Sequence, residues 1–340
     1  MKAIGYTAAQ YGLPITHDEA LLDLILPDPV AGGRDLLVEV RAVAVNPVDT
    51  KTRKRNNPPV GETQVLGWDA VGTVRAVGAE ASLFKPGDRV WYAGSIIRPG
   101  ANSQLHRVDE RIVGHAPRSL PDAEAAALPL TTLTAWEMLF DRLEVAPGGG
   151  LGQSILIIGA AGGVGSILVQ LARRLTRLTV VGTASRPETE AWARELGAHH
   201  VIDHRRPLSA ELKRIGIPQV DYVVSLTQTD QHLAEIVESL TPQGRFGLID
   251  DPEHFDIRLL KRKAISLHWE MMFTRAIYQT PDMIAQHRIL EDVAALVDAG
   301  VIHTTLGEHF GRIDAANLRR AHALLESGKA RGKIVLEGWD

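Results

Sequence analysis

The sequence predicts an α/β protein of two domains, a β-rich one followed by a doubly wound parallel sheet of six strands. Three observations predict it. Short β-rich runs punctuated by Gly and Pro fill the first third of the chain. From about residue 125, strand-like runs alternate with amphipathic helical ones. A glycine-rich turn joins the first of those later strands to a helix.

The length of 340 residues suits about two domains, each with its own core. The β-rich runs are residues 36–45, 71–77 and 89–93, separated by Asp28-Pro29, Asn57-Pro58-Pro59 and Lys85-Pro86-Gly87-Asp88. Strands at that spacing suggest a small barrel or sandwich. The later strands are expected at 154–158, 178–183, 199–202, 220–225, 245–249 and 264–269. Among the helices, 164–175 sets Val164, Leu168, Leu171 and Leu175 on one apolar face, and 187–196 ends at Gly197, a C-cap residue. Six strands with crossover helices read as a doubly wound sheet. The tail adds helices at 283–298 and 315–327 and a strand at 333–336, expected to pack back on the first domain. The expected boundaries are therefore 1–125 completed by 274–340, and 126–273.

Composition excludes several classes of function. A net charge of −4 gives no reason to expect nucleic acid or an anionic membrane as a partner. No apolar run reaches the roughly 18–20 residues that span a bilayer, and the first residues show no signal pattern. Cysteine is absent, which removes disulfides, thiol catalysis, iron–sulfur clusters and thiolate zinc sites. The expected compartment is the cytoplasm.

The run Ile155-Leu156-Ile157-Ile158 leads into Gly159-Ala160-Ala161-Gly162-Gly163-Val164-Gly165 and then a helix. Glycines let backbone approach a pyrophosphate, and the helix start offers free N–H groups and a positive dipole end. In this context the string reads as a Rossmann dinucleotide loop, with Ala161, Gly162, Gly163 and Val164 against the phosphates. About 20 residues on, an NAD site would place Asp or Glu on the ribose. This chain has Ser185-Arg186 instead, a hydroxyl donor and a guanidinium suited to a 2′-phosphate, so NADP(H) is the expected cofactor. The alternative is a polar surface turn.

Val45-Asn46-Pro47-Val48-Asp49, Gly67-Trp68-Asp69-Ala70-Val71-Gly72, Gly87-Asp88-Arg89-Val90, Leu128-Pro129-Leu130, Leu133-Thr134-Ala135-Trp136 and the Gly159–Gly165 loop are separate motifs spread along nearly the whole chain. Together they resemble the medium-chain dehydrogenase/reductase superfamily, in its quinone-oxidoreductase-like branch, often labelled zinc-type alcohol dehydrogenase-like. The resemblance implies a GroES-like catalytic domain, a Rossmann domain, an active cleft between them and a homodimer. It also marks departures. Zinc-dependent relatives carry cysteine at Asn46, histidine at Trp68 and cysteine or aspartate at Leu130, and a four-cysteine lobe soon after Val90. None of the 13 histidines offers a paired metal spacing with a third ligand, and His199-His200 reads as a strand entry. No metal site is expected.

Without a Lewis acid, alcohols are poor substrates, and no tyrosine here heads a Tyr-x-x-x-Lys pair. Quinones and α,β-unsaturated carbonyls need less help, because conjugation spreads the charge that arrives with hydride. The expected reaction is NADPH-dependent reduction of such an acceptor; a simple aldehyde or ketone reductase and a non-catalytic NADPH-binding protein are the alternatives. By motif position Asn46 is the first candidate to donate to the acceptor carbonyl, or else a turn residue before Pro47. Asp49 reads as an N-cap of a short helix. Lys51 and Tyr92 are further donors, or a solvated lysine and a half-buried strand tyrosine. Thr134 and Phe273 are expected near the nicotinamide end, and His204 by the adenosine phosphate or on a surface loop.

Overall fold

The computed structural model describes residues 1–339 and divides into two compact units. The first comprises Met1–Leu133 with the tail from Phe273, the second Thr134–Met272. The first unit runs on past residue 126 because Asp69 takes the Leu130 N–H at 3.1 Å, which ties the start of helix Pro129–Trp136 to it.

The first unit is built on a seven-stranded sheet around Asp35–Val45, a long strand whose burial alternates as far as Ala42 and is continuous from there to Val45. Its antiparallel neighbours are Ala70–Val77, Leu105–Asp109 and the C-terminal strand Lys333–Glu337. Arg89–Tyr92, Val113–His115 and Leu306–His309 extend the sheet outward. A smaller sheet joins Leu22–Ile25, Lys2–Tyr6 and Gln64–Val65. The tail packs in this unit: Thr304 and Thr305 donate to the Glu124 and Ala127 carbonyls at 2.8 Å each. Its helices are Ala285–Asp298 and Ala315–Glu326.

Register is what matters for function here. Ile334 pairs with Val45 and Ala70 with Val43 in antiparallel ladders. One step along each ladder sets Lys333 opposite Asn46 and Asp69 opposite Ala44. Because side chains alternate faces with period two, Ala44, Asn46, Asp69 and Lys333 all share one face. A one-residue slip would scatter them.

The second unit is the doubly wound sheet that the alternating pattern predicts. All six strands are parallel, in the order His200–Ile202, Thr179–Thr183, Ser154–Ile158, Val220–Ser225, Leu240–Leu248, Ser266–Trp269. The order reverses at Ser154–Ile158, the switch point outside whose carboxyl end such folds bind ligands. Leu156, Ile158, Val181, Val223, Phe246 and Leu248 fill the core on the central strands.

Two strands begin two or more residues away from expectation. The fifth begins at Leu240 rather than 245, because the apparent turn Thr241-Pro242-Gln243-Gly244 is absorbed as an irregularity opposite Asp221, with Gln243 at φ +65°. The sixth begins at Ser266 rather than 264, because Ala264 (φ +50°) and Ile265 close the turn after helix Arg258–Lys261, with Ile265 N–H on the Leu260 carbonyl.

Candidate active site

The first candidate locus lies at the switch point of the second unit. Strand Ser154–Ile158 ends in Gly159 at φ +85°, a conformation that favours glycine, and its N–H donates to Thr183 Oγ1 at 3.1 Å on the next strand. Helix Gly163–Leu175 follows. A Cβ on Gly165 would lie 2.2 Å from the Gly159 carbonyl oxygen and 2.7 Å from Ala160 Cα, so helix start and loop are in direct backbone contact. The N–H groups of Gly163, Val164 and Gly165 open the helix without intrahelical acceptors, and no side chain caps them. A loop that closes its own backbone and leaves a helix start free fits a pyrophosphate.

Beside it, Ser185 and Arg186 line a groove of about 390 Å3. Five arginines and three carboxylates line this groove, an excess of two positive charges. Arg194, Arg205 and Arg214 each meet a carboxylate, Glu190 at 2.9 Å, Asp203 at 2.7 Å and Glu211 at 2.7 Å. Hydrogen bonds from Arg205 hold Asp203 down at about 2. Arg206 is 3.6 Å from Glu211, and Arg186 Nε lies 3.2 Å from Glu188 Oε1 on the exterior. No acidic residue occupies the end of the second strand itself. Arg205 and Arg206 were not foreseen; their signal is the run Asp203-His204-Arg205-Arg206 just past the third strand. His204 is not among the lining residues. Its ring packs against His232, centroids 6.1 Å apart, its Nδ1 is buried without a hydrogen bond, and burial lowers its pKa.

The second candidate locus lies in the first unit. Lys333 Nζ, with its side chain 3% exposed, donates to the Val45 carbonyl at 3.0 Å and to Asn46 Oδ1, and pairs with Asp69 Oδ2 at 3.0 Å. All three ammonium donors are thereby used. Asp69 also accepts from Asn46 Nδ2 at 3.2 Å and, through its other oxygen, from the Leu130 N–H. Asn46 Nδ2 reaches the Ala44 carbonyl as well, at 3.3 Å. Asp69 thus links the three segments that carry Asn46, Trp68 and Leu130. Burial pushes the Asp69 carboxyl up, and the Lys333 charge pulls it back.

The helix begins three residues earlier than an Asp49 N-cap would place it. Asn46 is the N-cap, Pro47 opens helix Pro47–Arg55, and Asp49 reaches back from the third helical position to accept the Asn46 N–H at 2.6 Å. Asp49 is fully buried, and desolvation lifts its pKa to about 7. Lys51 lies half-buried on the same helix. Tyr92 is wholly buried rather than half-buried, and its ring stacks on His106 at 5.4 Å. His106 Nε2 faces the Pro99 carbonyl at 2.9 Å, so that nitrogen carries the proton and Nδ1 accepts from the Tyr92 hydroxyl at 3.1 Å. Burial lowers His106 to about 4 and raises Tyr92. Thr134 is buried near the end of helix Pro129–Trp136, and Phe273 is buried just before helix Thr274–Tyr278.

At the positions where zinc-dependent relatives place ligands stand a fully engaged amide, a buried indole whose Nε1 has no hydrogen-bond partner, and the aliphatic Leu130. These residues do not fit a zinc ion. Among the described residues no three His, Asp or Glu side chains are grouped to hold a metal.

A doubly wound sheet with this first turn, joined to a β-rich unit completed by the chain's tail, is the build of a nucleotide-dependent oxidoreductase. Residues 32–117 match the alcohol dehydrogenase GroES-like domain, and residues 196–336 match the family described as zinc-binding dehydrogenase. A zinc-type alcohol dehydrogenase-like protein of Staphylococcus aureus (strain MRSA252) is 42% identical over 311 residues, covering 91% of this chain and 92% of its own. A quinone oxidoreductase of Pseudomonas aeruginosa is 30% identical over 311 residues, 90% of this chain and 91% of its own. The crystal structure of a protein from Rhizobium etli CFN 42, assigned as a zinc-dependent alcohol dehydrogenase, is 57% identical. It superposes with a TM-score of 0.95 over 100% of this chain and 98% of that one. The chain belongs to the medium-chain dehydrogenase/reductase superfamily, among its zinc-type alcohol dehydrogenase-like proteins, and is related to the quinone oxidoreductases.

Proposed function

We propose that this oxidoreductase is a zinc-independent reductase that uses NADPH to reduce a quinone or an α,β-unsaturated carbonyl. The observation that carries the reading is the Asn46–Asp69–Lys333 cluster. It fills the metal-ligand position of the family with side chains that satisfy one another and gives a cation no donor set. An acceptor whose conjugation spreads incoming negative charge is the substrate class that tolerates this.

The second unit would hold the cofactor. The free N–H groups of Gly163, Val164 and Gly165 take the pyrophosphate, and the positive groove beside Ser185 and Arg186 takes a 2′-phosphate. When bound, NADPH supplies a hydride from its nicotinamide ring. The first unit's part is to stabilise the oxygen of the acceptor. Asn46 Nδ2 can do so because both of its present bonds, at 3.2 and 3.3 Å, are at the long end of the N–H···O range and can yield to an oxyanion. The exposed edge strand Ser266–Trp269, with Trp269 and Met271 half in solvent, supports pairing of two copies into a homodimer.

The test is NADPH oxidation against a panel of quinones, enones and aliphatic aldehydes. Turnover of quinones and enones with aldehydes left untouched is expected. Preference for aldehydes would favour an aldehyde or ketone reductase, and tight NADPH binding with no turnover would favour a non-catalytic NADPH-binding protein.

A further inference from the structure

We infer that Lys333, contributed by the last strand of the chain, is a positioning residue that locks the orientation of the Asn46 side-chain amide. The inference rests on the proposed carbonyl-donor role of Asn46 and gives that role its geometry. An asparagine amide has two ends of opposite character, and a half-turn about its Cβ–Cγ bond exchanges them. Nδ2 toward an acceptor oxygen stabilises developing negative charge; Oδ1 in its place repels it. Free in a polar pocket, the amide would sample both.

Here the choice is made by a full charge. The Lys333 ammonium can only donate, so the atom facing it must be Oδ1. The flip is fixed on the other side too, since the Asp69 carboxylate can only accept and therefore faces Nδ2 at 3.2 Å. Cation and anion pair with each other at 3.0 Å, and a third Lys333 bond ties the ammonium to the Val45 carbonyl, one residue before Asn46. Lys333 cannot drift, because Ile334 is in register with Val45 and the ammonium is buried. A device assembled from residues 46, 69 and 333 thus holds one amide in one orientation, its Nδ2 hydrogens on Asp69 and Ala44.

The experiment compares wild type, Asn46→Ala, Lys333→Gln, the charge-neutral double variant Asp69→Asn/Lys333→Met, and that double variant with Asn46→Ala added. Lys333→Met alone would leave Asp69 buried and unpaired and is avoided. For an enone or quinone, the double variant is expected to lose about 100-fold in kcat, the scale of a misplaced catalytic group. KM for the acceptor and Kd for NADPH should stay within about threefold. Adding Asn46→Ala should cost less than about threefold more, because the amide is already unlocked; additive losses would show that the two residues act separately. Lys333→Gln, whose amide has two hydrogens to donate, one to Asn46 Oδ1 and one to Asp69, should keep most of kcat. It carries the comparison if the double variant fails to fold, and a 100-fold loss in Lys333→Gln would then overturn the lock by hydrogen bonding.

A second readout does not depend on turnover: exchange of the Asn46 Nδ2 protons with solvent deuterium, followed by NMR. Slow exchange in wild type and at least tenfold faster exchange in the double variant are expected. Exchange unchanged by loss of Lys333 and Asp69, or kcat unchanged in a folded double variant, would refute the inference. Wild-type protein inactive on every quinone and enone would instead refute the function while leaving the exchange result to judge the lock.

Discussion

The two candidate loci are built on opposite plans. In the second unit the working groups are backbone N–H groups at Gly163, Val164 and Gly165, left without acceptors, beside a groove with two more positive than negative side chains. In the first unit the groups are side chains, and each donor and acceptor of Asn46 and Lys333 already has a partner inside the protein. The glycine loop is a deficit awaiting an anion. The buried cluster is a closed circuit that holds one amide still. On the proposed reading, the buried ammonium and carboxylate supply at this locus the fixed charge and orientation that a metal would otherwise bring.

The sharpest way to break this contrast is to fill the deficit. Gly165→Val places atoms where even a Cβ would be 2.2 Å from the Gly159 carbonyl, and that neighbour is backbone. NADPH affinity is expected to fall at least about 100-fold, or about 2.7 kcal/mol, as measured by quenching of protein fluorescence in a variant shown to fold by circular dichroism. Gly162→Ala, whose Cβ would meet its nearest atom at 3.5 Å, should fold normally and bind within a few-fold. Equal losses in the two would mean that loop crowding is not what matters.

On the side of the closed circuit, Asn46→Ala should lower kcat for a quinone or enone by about 100-fold or more, the usual cost of one oxyanion donor. NADPH binding should change little. Retained turnover would remove Asn46 from the chemistry.

Between these lies the 2′-phosphate. Arg186→Ala is expected to raise KM for NADPH about 10-fold, and at most 100-fold, from a charge-assisted bond of about 1.5–3 kcal/mol. The low end is favoured because Arg186 is part-exposed and shared with Glu188. KM for NADH should hardly move. Equal effects on both cofactors, or better use of NADH by wild type, would take the groove out of cofactor selection.

The loop was the legible half. Gly159 to Gly165 follow one another in sequence, and a strand before and a helix after complete the signal locally, as does Ser185-Arg186 about 20 residues on. The doubly wound sheet was legible for the same reason, since each strand–helix period is local. The cluster was half legible: Asn46 and Asp69 lie in recognisable motifs, but Lys333 is 287 residues from Asn46, and only antiparallel register sets it opposite. Tyr92 gave no sign of its burial under His106 for a similar reason. Strand starts at 240 and 266 were misjudged where positive φ falls on Gln243 and Ala264, residues that do not advertise a left-handed turn.

The smallest expected effect sharpens how buried ionisable groups tax the first unit. His106 and His322 are held neutral by burial, at about 4 and about 3. The unfolded chain binds their protons near 6.5, so each removes about 1.4 kcal/mol per pH unit as pH falls from about 6.5 toward its folded value. Asp49, raised to about 7, acts in the opposite sense and adds stability as pH falls from 7 toward 4. These three groups together should therefore cost about one group's worth of stability with acid across that window. His322→Leu should flatten the urea midpoint against pH, and Asp49→Asn should steepen it. No change in either slope would contradict these burial effects.

On the proposed reading the Asn46–Asp69–Lys333 cluster works without the metal that the relatives' names advertise. The most direct measurement is the rate of NADPH oxidation with a quinone by tag-free protein, before and after exhaustive chelation. The same rate is expected in both, with no stimulation by added zinc. A rate that disappears with the chelator and returns with zinc would contradict that reading.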